Sequence, residues 1–217
     1  MPIAPSTDSV ILLHGLARSN RSFARLEVVL NDSGYHTVNY NYPSTRQNIE
    51  KLAEDAIRDA VSLCPADSRV NFVTHSMGGI LLRQYLSKHT IDNLGRVVML
   101  GPPNKGSEVV DQLKNVPGFK AMNGPAGMQL GTDSDSVPKR LGAADFDVGI
   151  IAGTSSINLI LSTMMPRPND GKVSVESTKL EGMNDHLSVS ATHTFMTRNS
   201  QVMGQVIYYL QHGFFER

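Results

Sequence analysis

The sequence contains no tryptophan, only one cysteine and no block of basic residues. A lone cysteine excludes an internal disulfide. Cys64 stands at the end of a helical pattern, just before Pro65, which favours a buried structural thiol over a nucleophile. The 20 lysines and arginines are balanced by 20 aspartates and glutamates. Because nucleic-acid binding needs clustered positive charge, we expect no nucleic-acid partner.

Signals for export and for membrane insertion are also lacking. The leader Met1–Pro5 has neither the basic nor the apolar region of a secretory signal. The longest uncharged stretch, 148–166, is interrupted by Gly149, Gly153 and a cluster of polar residues, which is atypical of a membrane span. We therefore expect a cytoplasmic protein without an integral membrane segment, although a trimmed export leader would leave the same sequence. No pattern predicts the oligomeric state.

What the sequence does contain is an alternation of strand-like and helix-like runs. Its 217 residues are enough for one well-buried core and few for two domains, so we expect a single domain over 1–217. The alternation favours βαβ units, and it predicts an α/β fold: a three-layer α/β/α sandwich with a mainly parallel, roughly six-stranded sheet. The predicted strands are 10–13, 36–40, 70–74, 97–100, 148–152 and 187–190.

One segment fits this alternation poorly. Residues 104–147 lie between the fourth and fifth predicted strands and are rich in Gly, Pro, Asn and Asp. A stretch of this kind predicts either a cap or lid over a site, or a short helix with loops packed at the sheet edge. Both interpretations stay open at this point.

The most informative motif is Thr74-His75-Ser76-Met77-Gly78, which follows an apolar strand and precedes a helical run. A serine in this setting is typical of a nucleophile elbow, in which Oγ is exposed on a sharp strand-to-helix turn. The usual pattern is Gly-x-Ser-x-Gly, so Thr74 replaces the first glycine. Taken alone, Ser76 also fits a helix N-cap.

A serine nucleophile needs a base and an orienting carboxylate, in the chain order Ser, Asp/Glu, His. Asp170, in the loop after the fifth strand, and His193, just beyond the sixth, satisfy that order. Asp170 in Asn-Asp-Gly is also a good turn residue. The alternative acids are Asp145, Asp147 and Asp185, and the alternative base is His186. All four precede a strand, at the wrong end for catalysis.

Two backbone N–H groups are needed to bind a developing oxyanion. Met77, at the start of the helix after Ser76, supplies one. The second is expected from the loop His14-Gly15-Leu16 after the first strand, where Gly15 permits close backbone approach. His14, Gly15, His75 and Gly78 are thus predicted to build the supporting turns.

The segments 10–16, 74–79, 170–175 and 192–196 resemble the α/β-hydrolase superfamily, and small bacterial lipase- and esterase-like members in particular. The stretch Gly101–Ser107 is similar to a Gly-Thr-Pro-x-x-Gly-Ser stretch of lipase-like members. The resemblance covers nearly the whole chain and implies a minimal form of the fold. By this resemblance Ser76, Asp170 and His193 match the catalytic triad, and Leu16 and Met77 match the oxyanion positions.

The resemblance implies hydrolysis of a small-molecule ester or lipid through an acyl-enzyme, without a cofactor. An acyltransferase, thioesterase or amidase would use the same triad, and a non-catalytic binding protein on this fold is a further alternative. No metal is expected, since Asp133 and Asp135 lack the spaced oxygen ligands of a calcium site. One apolar group lies before Asp170 and predicts either an acyl pocket or core packing: Ile157, Leu159, Ile160, Leu161, Met164 and Met165.

Overall fold

The structure, a computed structural model, describes residues 8–157 and 159–217, without the side chains of Leu159 and Ile160. The leader Met1–Pro5 therefore lies outside the described residues. The strands are β1 (Ser9–Leu13), β2 (His36–Tyr40), β3 (Val70–His75), β4 (Leu94–Leu100), β5 (Val148–Gly153) and β6 (Asp185–Val189). The α-helices are α1 (Ala24–Asp32), α2 (Ile49–Ser62), α3 (Met77–Leu86), α4 (Glu108–Leu113), α5 (Phe119–Met128), α6 (Val137–Arg140), α7 (Leu159–Thr163), α8 (Val175–Thr178) and α9 (Ser200–His212).

The six strands form one sheet in the order β2-β1-β3-β4-β5-β6, and every neighbouring pair is parallel. β1 shows how the sheet separates two apolar cores. Ile11 and Leu13 belong to the core that α2 and α3 cover, whereas Val10 and Leu12 belong to the core that α1 and α9 cover. A strand buried on both faces is continuously apolar. The predicted three-layer α/β/α sandwich is therefore confirmed.

The strand order reverses between β1 and β3. The chain leaves β1 toward β2 at one edge and returns to β3 on the other side of β1, so that Leu13 pairs with Thr74. The segments that follow β1 and β3 consequently lie side by side at the carboxyl edge of the sheet. In open α/β sheets this reversal creates the crevice in which ligands bind.

Several element ends differ from the sequence prediction. β4 begins at Leu94 instead of residue 97, because Leu94 pairs with Val70 of β3. A register shift follows this pair, and there the N–H of Arg96 donates to Asn71 Oδ1 at 2.7 Å. β6 begins at Asp185 instead of residue 187. None of these shifts changes the topology.

Residues 104–147 contain α4, α5 and α6. The side chain of Gln129 ties this segment to α2, since Oε1 accepts from the N–H of Ile49 at 2.7 Å and Nε2 donates to Glu50 at 2.9 Å. The buried Arg83 guanidinium donates to the carbonyl oxygens of Asn104 and Gly142. The segment is therefore anchored on the α2–α3 side, and its role as a lid stays a prediction. Over the described residues, none of the helices has the length and apolar character that a membrane crossing requires.

Candidate active site

Ser76 occupies the sharp turn between β3 and α3. Its backbone has φ 54° and ψ −121°, a region that residues other than glycine rarely adopt. The N–H of Ser76 donates to the carbonyl of Leu100 at 2.9 Å, and its own carbonyl accepts from Gly79 at 3.1 Å. Backbone strain of this kind costs about 1–3 kcal/mol and persists only where the surroundings enforce it. Ser76 is thus held in a strained conformation by the neighbouring strand and the start of α3.

The close approach of β1 to this turn depends on two glycines. A Cβ on Gly78 would lie 2.4 Å from the carbonyl oxygen of Leu13, a distance that real Cβ atoms do not adopt. A Cβ on Gly15 would lie 3.2 Å from Cβ of Ser76. The loop after β1 therefore passes directly beside the Ser76 side chain, as the sequence predicts.

Thr74, where the usual motif has glycine, is fully buried at the end of β3. A Cβ on Gly79 would lie 3.1 Å from Thr74 Oγ1, so the threonine side chain packs over a helix position that has no side chain of its own. Within the described residues Thr74 Oγ1 has no hydrogen-bond partner. The strand-to-helix turn therefore forms with threonine at this position.

The loop His14-Gly15-Leu16 is fixed from beneath by Tyr42. The His14 and Tyr42 rings stack at a centroid distance of 4.1 Å, and the Tyr42 hydroxyl donates to the carbonyl of His14. Nδ1 of His14 donates to the carbonyl of Gly15 at 2.9 Å, while Nε2 accepts from the N–H of Tyr42 at 3.3 Å. Burial lowers the pKa of His14. A neutral imidazole satisfies both of these hydrogen bonds.

The backbone N–H groups of Leu16 and Met77 have no acceptor within the part of the chain that the structure describes. Met77 is the first residue of α3, where the helix dipole favours negative charge. Leu16 follows Gly15 in the loop beside Ser76. Both predicted donors are therefore free to bind an anionic oxygen.

Asp170 and His193 form a buried pair. Asp170 Oδ2 lies 2.7 Å from His193 Nδ1, and both side chains are almost fully buried. The other carboxylate oxygen, Oδ1, accepts from the backbone N–H groups of Lys172 at 3.0 Å and Val173 at 2.8 Å. These contacts fix the carboxylate, and the Nδ1 contact orients the imidazole so that Nε2 is its remaining proton acceptor.

His75 makes a contact that the sequence does not predict. Its Nε2 atom donates to the carbonyl of His193 at 3.0 Å, and the two rings lie 4.8 Å apart. Burial, the His193 ring and, to a smaller extent, the charges of Lys172 and Arg18 lower the pKa of His75 well below its ordinary value. The available signal was a histidine at the end of an otherwise apolar strand, which by itself predicted only a turn residue.

The alternative acids and the alternative base lie elsewhere. Asp147 accepts from the Tyr209 hydroxyl at 2.7 Å, and Asp185 accepts from the N–H of Phe215 at 2.8 Å. His186 Nε2 is 2.9 Å from Thr178 Oγ1. Asp185 and His186 begin β6 and Asp147 immediately precedes β5, so these three residues lie at the edge of the sheet opposite Ser76. Asp145 is an exposed residue in the same approach to β5.

Comparison with known proteins assigns the chain to a family. A model of the alpha/beta hydrolase family matches residues 10–172. This match covers most of the chain, and the chain belongs to that family. The resemblance drawn from the motifs is therefore confirmed. No curated protein sequence matches the chain significantly.

Solved structures share the fold at low sequence identity. The mature form of Bacillus licheniformis lipase BlEst2 is 17% identical with a TM-score of 0.69, over 95% of this chain and 93% of the lipase. The metagenomic carboxyl esterase MGS0156 is 19% identical with a TM-score of 0.70, over 88% of this chain and 66% of the esterase. Aspergillus fumigatus lipase B is 16% identical with a TM-score of 0.68, over 94% of this chain and 52% of the lipase. The chain thus spans nearly all of one lipase and about half of another.

Proposed function

We propose that this chain hydrolyses carboxylic esters through an acyl-enzyme formed on Ser76. The observation that carries the proposal is the buried Asp170–His193 pair, with Nδ1 and Oδ2 2.7 Å apart, in a chain that also holds Ser76 on a strained strand-to-helix turn. His75, which precedes Ser76, donates to the backbone carbonyl of His193, and this contact between the two segments supports the proposal. Family membership and the lipase and esterase structures that share the fold add support.

In this mechanism His193 is the general base. Its Nε2 removes the proton from Ser76 Oγ as Oγ attacks the ester carbonyl, and it then donates that proton to the leaving alcohol. A water molecule attacks the acyl-enzyme by the same route and releases the acid. Asp170 keeps the imidazole in the required tautomer and stabilises the imidazolium that forms in each step.

The tetrahedral intermediates carry a negative oxygen. We assign its two hydrogen-bond donors to the backbone N–H groups of Leu16 and Met77, since neither has another acceptor among the described residues. The Tyr42 and His14 contacts hold the Leu16 loop in place before substrate arrives. The donors are therefore preorganised, and little reorganisation is needed during the reaction.

The apolar side chains before Asp170 differ in their exposure to solvent. Of the apolar side chains before Asp170, Met165 is buried and Ile157 is 68% exposed. The side chains of Leu159 and Ile160 lie outside the described part of the structure. Ile157 is therefore available to contact an acyl chain, whereas Met165 packs into the protein. We accordingly propose small-molecule esters or lipids as the substrate class, without assigning a chain length.

Kinetics with nitrophenyl esters of increasing chain length test this proposal. Ser76→Ala and His193→Gln should each lower kcat by roughly 10⁴-fold or more, and Asp170→Asn by about 10⁴-fold, while the folded structure is kept. Ser134→Ala and His212→Gln, which replace exposed side chains outside the site, are matched controls and should retain activity. Undiminished hydrolysis by a pure Ser76→Ala preparation would exclude the mechanism.

A further inference from the structure

A small cavity lies close to the proposed catalytic histidine, since His75 lines it and the His75 ring lies 4.8 Å from the His193 ring. Its volume is about 80 Å³, and its walls include Arg18, His75, Thr194 and Arg198. Two of these residues adjoin the site in the chain, since His75 precedes Ser76 and Thr194 follows His193. A cavity of this size accommodates several water molecules, since one buried water needs only about 10–15 Å³ of accessible space. It therefore has room for a compact polar group.

The cavity carries positive charge without a compensating carboxylate. None of the residues that line it is acidic, and neither Arg18 nor Arg198 forms an ion pair within the described part of the chain. His75 adds no charge, because its lowered pKa keeps the ring neutral. Guanidinium groups recognise carboxylate and phosphate by parallel N–H donors in one plane. The chemistry of the cavity is thus that of an oxyanion receptor.

Thr194 adds a directed donor to this set. Nη2 of Arg18 donates to Thr194 Oγ1 at 3.4 Å, which leaves the threonine O–H free to donate in turn. The other hydroxyls of the cavity are already engaged, because Thr197 donates to the carbonyl of Ser22 at 2.9 Å and Ser22 to the carbonyl of Ser19 at 2.8 Å. The free donors are therefore the two guanidinium groups and the Thr194 hydroxyl.

We propose that this cavity binds a carboxylate or phosphate group carried by the ester substrate, with Arg18, Arg198 and Thr194 as its donors. The inference rests on the proposed function, because it defines the substrate class of the same site. The anionic group would then lie against His75 and Thr194, which precede Ser76 and follow His193 in the chain. The preferred substrate is then an ester of a phosphorylated or carboxylated small molecule rather than a neutral ester.

Two pairs of esters test the proposal and distinguish the two anions. The carboxylate pair is monomethyl glutarate and methyl pentanoate, and the phosphate pair is 1-butanoylglycerol 3-phosphate and 1-butanoylglycerol. The measured quantity is the ratio of kcat/KM for the anionic ester to kcat/KM for its neutral partner. We expect a ratio well above one in at least one pair. Because a hydrogen bond to a charged group is lost, Arg198→Gln and Arg18→Gln should each lower that ratio about tenfold.

Arg25→Gln is the matched control, since Arg25 is also exposed but does not line the cavity. It should leave the ratio unchanged. A second measurement does not depend on turnover: titration of Ser76→Ala with inorganic phosphate and with glutarate by calorimetry. At least one anion should bind, and adding Arg198→Gln should weaken its binding about tenfold.

The results of these experiments distinguish failure of the anionic subsite from failure of the proposed ester hydrolysis. Ratios near one in both pairs, together with no binding of either anion to Ser76→Ala, would overturn the anionic subsite while ester hydrolysis stands. Anion binding that depends on Arg198, in a protein that hydrolyses none of the four esters, would support the subsite and count against ester hydrolysis. A ratio that Arg25→Gln lowers as much as Arg198→Gln would indicate a general surface effect and overturn the assignment.

Discussion

The Nε2 atom of His75 lies 3.0 Å from the carbonyl oxygen of His193, and this hydrogen bond joins residues 118 positions apart in the chain. It links the end of β3, directly before Ser76, to the loop that carries the proposed general base. The position of the proposed nucleophile is thereby coupled to that of the imidazole through one buried contact. His75 accordingly acts as a positioning residue in the proposed mechanism.

Variants of His75 distinguish the effect of this hydrogen bond from the effect of ring packing. His75→Phe keeps a ring but removes the donor, and an unpaired buried carbonyl costs about 1–3 kcal/mol. We expect the free energy of unfolding, measured with urea, to fall by that amount, and kcat to fall by a larger factor than KM rises. His75→Gln retains an N–H donor and should recover part of both losses. Equal stability and turnover in His75→Phe and the unmodified protein would show that the contact positions nothing.

Buried neutral histidines predict an acid-sensitive fold. Burial is the leading cause that lowers the pKa of His14, His75 and His186 from the ordinary value of 6.5. Below pH 6.5 the unfolded chain therefore binds more protons than the folded chain, and stability falls as the pH decreases. Each such histidine contributes a slope of up to about 1.4 kcal/mol per pH unit until its folded pKa is reached.

Urea unfolding at a series of pH values between 6.5 and 4.5 measures this slope before most carboxyl groups of the unfolded chain titrate. The His75→Phe variant should show a shallower slope than the unmodified protein over the same interval. A stability that is constant between these pH values would contradict the neutral state of the three histidines.

Gly78 is expected to be intolerant of any side chain. In Gly78→Ala the new Cβ would meet the Leu13 carbonyl at 2.4 Å, so α3 must shift away from β1. We expect a loss of roughly 1–3 kcal/mol from overpacking, together with reduced activity. Gly204→Ala, in α9, is the control, since nothing lies within 4 Å of its added Cβ and alanine favours a helix by about 0.5–1 kcal/mol. In denaturant unfolding, we expect Gly78→Ala to lower the free energy of unfolding and Gly204→Ala to raise it.

The backbone strain at Ser76 is measurable as a difference in the free energy of unfolding between two variants. Glycine adopts a φ of 54° without a Cβ penalty, whereas Ser76→Ala keeps that penalty. We expect Ser76→Gly to be more stable than Ser76→Ala by about 1 kcal/mol, although glycine gains more freedom in the unfolded chain. Ser134, which has no positive φ, is the matched site, and there alanine should be the more stable replacement. If the alanine variant were more stable than the glycine variant at position 76 as well as at position 134, Ser76 would be unstrained.

The parallel sheet could be predicted from the sequence because its signals are local. Val10–Leu13 is continuously apolar, and Gly34 ends the following helix with a φ of 91°. Local patterns predicted element ends less well where long-range contacts decide them. β4 starts before Val97 because Leu94 pairs with Val70 of β3, ahead of a register shift that Asn71 bridges by accepting the N–H of Arg96.

In the candidate site too, the features that depend on local motifs could be predicted and those that depend on long-range contacts could not. Ser76 and the order of Asp170 and His193 could be read from motifs, and the roles of all three stay proposals. The contact of His75 with His193 connects segments far apart in the chain, so the sequence carried no sign of it. The cavity of Arg18 and Arg198 forms only when the loop after β1 meets the turn after β6, and it too was missed.

Labelling with a fluorophosphonate probe, followed by mass spectrometry of the intact and digested protein, tests the role of Ser76 most directly. We expect one adduct per chain, located in the tryptic peptide 70–83, in which Ser76 is the only serine. Labelling should abolish ester hydrolysis in proportion to occupancy, and Ser76→Ala should stay unlabelled. An unlabelled Ser76 in a preparation that hydrolyses esters at full rate would contradict an acyl-enzyme on this residue.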